Sequence, residues 1–214
     1  MKKILAALAL FAGFSVTAHA ESYSFACISN NNVANCAAGT AQLRMDVLSY
    51  GPSQALFQFY NIGAAASSVT DIYFDDGTLL GIAQVNNSSG VNFSQGAAPP
   101  DLPAGNNVDP DFMTTAGFNA DSNTPVSING VNPGETVGIL FNLQSGQSFS
   151  NVINALSLAG VPGGLRIGLH VQNFNNDGSE SFINVATPVP EVSQWLMLLL
   201  GFGLIAARTV NRLR

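Results

Sequence analysis

The residues best able to do chemistry in this 214-residue chain are few and dispersed: two cysteines, two histidines and thirteen carboxylates. Oxygen-bearing side chains alternate through Asn173-Phe174-Asn175-Asn176-Asp177-Gly178, which overlays the first half of a calcium loop with Asn173, Asn175 and Asp177 as weak candidate ligands. The overlay lacks its strongest ligand, because Asn184 stands where a bidentate glutamate would close such a loop. The same residues make a good hairpin turn, so the turn is the primary expectation and no resident metal is assigned. Asp71, Asp75, Asp76 and Glu180 would form a weaker oxygen site only if strands brought them together. His19 lies in a segment read below as removed, which leaves His170 alone and excludes a histidine-rich zinc site. No Gly-x-Ser-x-Gly elbow accompanies it, and its mid-strand position predicts an outward surface residue rather than a catalytic base. Nothing in the sequence selects a glycosidase carboxylate pair, and no Gly-rich phosphate loop occurs. No catalytic residue and no cofactor is therefore assigned.

Cys27 and Cys36 are the only cysteines. Their spacing is not Cys-x-x-Cys and no second His/Cys cluster exists, so a disulfide is expected rather than a redox or metal site. Closing so small a loop is worth about 2–3 kcal/mol before strain is counted.

The elements that must position these groups read as strands. Ala41 to Val47 alternates apolar and polar residues, as do Ala55 to Tyr60, Val69 to Phe74 and Leu79 to Val85, each bounded by Gly, Pro, Asn or Asp. In the third run Val69, Asp71 and Tyr73 are predicted to face away from Ile72 and Phe74. Asn86 to Val131 breaks the rhythm and is expected to be a long loop region. Tyr73, Phe93, Phe112 and Phe118 would there either cover a sandwich edge or form a binding rim. The pattern resumes at Val137 to Leu143. One short helix follows, capped by Ser150, with Val152, Ile153, Leu156 and Ala159 at helical spacing. Leu165 to Phe174 is the strongest strand, with Ile167, Leu169 and Val171 inward and Arg166, His170 and Gln172 outward. The Asn175-Asn176-Asp177-Gly178 turn leads into Ser179 to Val185. Short strands with turns about every ten residues predict an all-β fold, a jelly-roll-like β-sandwich with one short helix.

Both ends of the chain read as addresses. Lys2 and Lys3, an apolar Ile4 to Val16 and the small-x-small Ala18-His19-Ala20 make residues 1–20 a signal peptide, cleaved between Ala20 and Glu21. Residues 21–186 are then the ectodomain and 187–214 the tail. Between positions 21 and 190 stand twelve acids and only Arg44 and Arg166, a net charge of −10 with no lysine. Lysine-based chemistry is excluded, and so is nucleic-acid binding by counterion release.

In the tail, Trp195 to Ala207 is 13 residues without a charge, flanked by Pro190-Glu191-Val192 and by Arg208, Arg212 and Arg214. As a helix it spans roughly 20 Å, short of the ~30 Å hydrocarbon core, which suits a temporary stop-transfer segment with a basic cytoplasmic end. This tail resembles the PEP-CTERM sorting signal of Gram-negative bacteria that make exopolysaccharide. Pro190 and Glu191 match the first two motif positions and Val192 replaces the third, while Trp195, Leu198-Leu199-Leu200-Gly201, Gly203 and Arg208 keep the pattern. Tyr73 to Gly77 and Arg166 to Val171 also look like stretches of other such ectodomains. The resemblance implies export by Sec-type machinery, a transient inner-membrane intermediate held by a transmembrane helix, and processing at Pro190-Glu191-Val192 by an exosortase. It further implies release or attachment at the cell surface or in the extracellular polysaccharide. The expected function is thus a non-enzymatic surface or matrix protein, with a carbohydrate-binding β-module as the alternative.

Overall fold

The computed structural model describes residues 20–185, apart from 159, 160, 162, 163 and 176. The Ala18 side of the signal cleavage site, the Pro190-Glu191-Val192 motif and the arginines at 208, 212 and 214 lie outside the described residues.

The chain is all-β in class. Its described strands are β1 (Ala20–Cys27), β2 (Leu43–Ser49), β3 (Gln54–Asn61), β4 (Ser68–Asp75), β5 (Leu79–Asn87), β6 (Phe93–Gln95), β7 (Asn119–Ser122), β8 (Thr136–Leu143), β9 (Arg166–Gln172) and β10 (Glu180–Asn184). They form one sheet in the order β5-β8-β3-β2-β1-β10-β9-β4-β7-β6, with every strand-to-strand ladder antiparallel. Strand β1 serves both halves of the sheet: residues 20–24 pair with β2, and residues 25–27 with β10. The sheet curls until its edges almost meet, where the Asn87 amide bridges the Phe93 N–H and C=O at 2.8 and 3.0 Å. A nearly closed sheet leaves few unpaired edge groups to recruit another chain.

The two halves press apolar faces together. Phe57 of β3 and Phe141 of β8 meet Phe74 of β4 edge-on, at centroid distances of 5.3 and 4.6 Å, and Phe59 stands 6.2 Å from the same ring. Each such pair adds about 0.5–1.5 kcal/mol beyond the area it buries. In β9 the predicted inward set of Ile167, Leu169 and Val171 is fully buried. In β4 the inward set differs from expectation. A bulge between Val69 and Asp71 shifts the register, so Val69 joins Ile72 and Phe74 in the core while Tyr73 packs elsewhere.

The described residues hold three α-helices where sequence periodicity predicted one. Helix α1 (Val33–Gln42) overruns the start of the predicted Ala41 to Val47 strand. Asn32 caps it by accepting from the N–H groups of Ala34 and Asn35 at 2.9 and 3.2 Å. Gly39 lets it sit directly on Phe182, because an added Cβ would come within 2.2 Å of that ring. Helix α2 (Val126–Asn129) and strands β6 and β7 fall inside the predicted loop region. Helix α3 (Phe149–Ser157) is the expected one, capped by Ser148 rather than Ser150. The Asn151 side chain accepts from the Ser148 N–H at 2.9 Å, and Val152, Ala155 and Leu156 enter the core. None of the described helices is long and apolar enough to cross a membrane.

Candidate functional site

Among the described residues, two polar assemblies in the packed sheet use the few ionisable groups. The first closes the loop after β1. Cys27 and Cys36 form a disulfide, with Cα atoms 5.3 Å apart. Beside it lies Glu180, the first residue of β10, only 1% exposed. Its carboxylate accepts from the Asn31 and Asn32 N–H groups at 3.0 and 2.6 Å and from the Ser29 hydroxyl. Ser29 Oγ in turn accepts from the Ser181 N–H at 2.9 Å, so the loop is tied to β10 from both sides. A buried carboxylate of this kind is tolerable only because donors surround it. Glu180 also stands with the two sulfurs as the one cluster of potential metal ligands among the described residues. The disulfide engages both sulfurs, which leaves that cluster a structural joint.

The second assembly runs across the outer face of the same half-sheet, over β9, β4 and β7 beside β10. The ladders place His170 of β9 opposite Asp71 of β4, and Asp71 opposite Asp121 of β7. His170 Nδ1 lies 2.9 Å from Asp71 Oδ2, which also accepts from the Thr70 hydroxyl at 2.9 Å. His170 is therefore not the outward surface residue predicted. The bulge in β4 turns Asp71 onto its face, and both side chains are largely buried. Asp121 is pushed up to about 6, first by burial, then by the Asp71 charge and a hydrogen bond to Asp71. His170 lies on the far side of Asp71 from Asp121. The same charges, after burial, raise the Tyr73 phenol well above its ordinary range.

A segment from Ala97 to Met113 covers this face. Leu102 and Phe112 pack on Tyr73, whose hydroxyl donates to the Pro99 C=O at 3.0 Å. Gly168 makes room for Leu102, since a Cβ there would come within 2.6 Å of it. Arg166 fixes the other end of the cover. It was predicted to face outward, but it is buried: its guanidinium pairs with Asp75, donates to the Pro110 and Asp111 carbonyls at 2.6 and 2.7 Å, and stacks over Phe112 at 5.3 Å. The covering segment supplies the carbonyls that an isolated strand could not.

The sequence-level candidates are thus dispersed. Asp71 joins His170, Asp75 joins Arg166, Glu180 holds the cysteine loop, and Asp76 caps its own turn by accepting from the Thr78 and Leu79 N–H groups. The four acids do not form a common oxygen site. Asn173, Asn175 and Asp177 lie in the β9–β10 turn, where the Asp177 N–H donates to the Phe174 C=O at 2.8 Å. Asn184, at the twelfth calcium-loop position, instead accepts from the Ile167 N–H at 2.7 Å. Tyr73, Phe93 and Phe112 are buried and Phe118 is half-buried against the core, so these aromatics cover the fold and offer no exposed stacking rim. A hollow of about 280 Å³ lies between α1 and the β9–β10 turn, bordered by Asn32, Asn35, Asn175 and a floor of alanines with Phe174. Sequence reasoning missed it because it needs α1, which charge-poor Ala-Gly composition concealed.

A scan against protein-family models, a search of curated proteins and a search of solved structures each return no match.

Proposed function

We propose that this chain is an exported surface or extracellular-matrix protein whose β-domain, residues 21 to 186, performs no catalysis and is delivered by its two terminal signals. The observation that carries the reading is the Cys27–Cys36 disulfide seated on buried Glu180 just after the strand that begins at Ala20. Such a staple suits an oxidising compartment, and the lysine-free, acidic composition suits an exterior that does not hold nucleic acid. The PEP-CTERM-like tail adds an exosortase as processing partner, a transient inner-membrane intermediate, and a destination in or near extracellular polysaccharide. The two packed half-sheets serve as a jelly-roll-like sandwich that presents this surface. N-terminal sequencing and thiol titration of the native protein test the export half. A chain beginning at Glu21 with no free thiol is expected, and a chain beginning at Met1 with two reactive thiols would overturn it.

The carbohydrate-binding alternative keeps one specific foothold, the amide-bordered hollow with Asn32, Asn35 and Asn175. Amide side chains suit sugar hydroxyls as both donors and acceptors. A polysaccharide pull-down decides it: retention lost on Asn175→Ala supports the module, and no retention of folded protein removes it.

A further inference from the structure

The register of the ladders fixes which loops share an end of the domain. Strand β1 starts where β2 finishes, since Ala20 pairs with Leu48, and the β2–β3 turn at Tyr50 therefore lies beside the first described residue. Strand β10 runs toward the same end but stops short of it: Asn184 pairs with Phe25, five residues along β1 from Ala20, and the Val185 N–H bonds the Ser24 C=O at 2.9 Å as the chain heads back along β1. The start of β5, the end of β8, the start of β9 and the end of β4 also lie here, because Leu79 pairs with Leu143 and Asp75 with Arg166. The described chain begins at this end and its last residue, Val185, points back toward it; we call this end the root.

Eight large apolar side chains are exposed among the described residues, and five of them are at the root. Tyr50 is on the β2–β3 turn and Leu80 at the start of β5. Met113 follows the Arg166 clamp, its N–H directed at Asp75, and Leu158 and Val161 precede β9. Val33, Ile62 and Ile128 are at the opposite end, among Asn31, Asn32, Asn129, Asn132 and Glu135. Single exposed apolar residues need no explanation, but a group spread over separate loops at one end marks a contact surface. A cavity of about 260 Å³ lined by Phe149, Ile153, Ser150, Asn154 and Glu21 lies beside β1 at this end.

The length of chain beyond Val185 identifies the occupant. Nine residues, 186–194, separate Val185 from Trp195 and the apolar segment. Fully extended they reach about 30 Å at most, so an anchored tail keeps the domain within about that distance of the bilayer, and Val185 points toward the root, the end nearest to it. We infer that the root is a lipid-contacting surface, in which Tyr50, Leu80, Met113, Leu158 and Val161 rest in the interface of the membrane while the tail is anchored. The inference rests on the proposed sorting function and adds the orientation of the domain. Glu21, Asp76 and Asp111 at the root leave it without excess positive charge, so the surface that fits is zwitterionic rather than anionic. Aromatic and aliphatic side chains at the headgroup level are the groups such an interface accepts.

The chain from Glu21 to Arg214 carrying Trp195→Phe is reconstituted in phosphatidylcholine vesicles with brominated acyl chains, with one new tryptophan at Tyr50 or Leu80 and, in parallel, at Val33 or Ile128. After flotation, quenching at least about twofold stronger at Tyr50→Trp and Leu80→Trp than at Val33→Trp and Ile128→Trp is expected for side chains within the interface. Flotation with equal quenching at both ends, or with none at either, overturns the inference and leaves the sorting reading standing. Protein that stays at the bottom of the gradient overturns the anchored intermediate itself, and the orientation with it.

Discussion

Replacing Glu180 by glutamine removes the charge at the centre of the cysteine loop while keeping its volume. Two backbone N–H groups and one hydroxyl converge on this carboxylate, and the residue is 1% exposed, so water cannot substitute for it. The amide offers one acceptor oxygen and turns a donor toward a donor, leaving at least one buried N–H unpaired. Each buried donor left without a partner costs about 1–3 kcal/mol, and the charged hydrogen bonds add to that, so Glu180→Gln should destabilise by about 2–4 kcal/mol. For a domain of this size that corresponds to a fall in Tm of roughly 5–15 °C. Thermal unfolding of the mature protein, followed by far-ultraviolet circular dichroism with the disulfide intact, measures it. Because Glu180 works by holding the Cys27–Cys36 loop, its effect should shrink when both cysteines are replaced by serine, and the coupling should exceed about 0.5 kcal/mol. A fall in Tm below about 2 °C, or strictly additive effects, would refute the idea that this carboxylate anchors the loop.

Three other outcomes follow from the geometry. Arg166→Met takes the cation from Asp75 and strips donors from Pro110 and Asp111, which should cost about 3–5 kcal/mol, and limited proteolysis should then cut first between positions 99 and 113. Gly39→Ala drives a methyl into the Phe182 ring and should cost about 1–3 kcal/mol by denaturant titration; an unchanged midpoint would mean that α1 does not press on β10. Asp121 is raised to about 6 by burial and by Asp71, so its contribution is complete below its unfolded value and is lost as pH rises through 6. Because solvent screens this half-buried group, the loss should stay below about 1 kcal/mol. Asp121→Asn should flatten the stability profile between pH 4 and 6, and an unaltered slope would dissociate Asp121 from Asp71.

The strands were legible because β3, β8 and β9 alternate cleanly and are bounded by turn residues; Ile167, Leu169 and Val171 point inward as their spacing predicts. Helix α1 was concealed because its capping signal, Asn32, lies in an asparagine-rich run, and its alanines and Gly39 leave a weak amphipathic pattern. The His170–Asp71–Asp121 row was invisible for a different reason. It depends on a bulge at Thr70 and on strands distant in sequence, so the outward residue predicted by simple alternation becomes a partnered one. Arg166 was misplaced because the covering segment that buries it reads as loop, and its carbonyls are supplied by residues more than 50 positions away.

The central claim, that the tail is a sorting signal processed after export, is tested most directly by intact mass and fractionation of the native protein from its own host, with and without its exosortase. The account predicts extracellular protein of a mass matching residues 21 to about 190 when the enzyme is present, with any added mass marking attachment. Protein running from Glu21 to Arg214 in the membrane fraction regardless of the enzyme would contradict it, leaving a β-domain that is simply membrane-anchored.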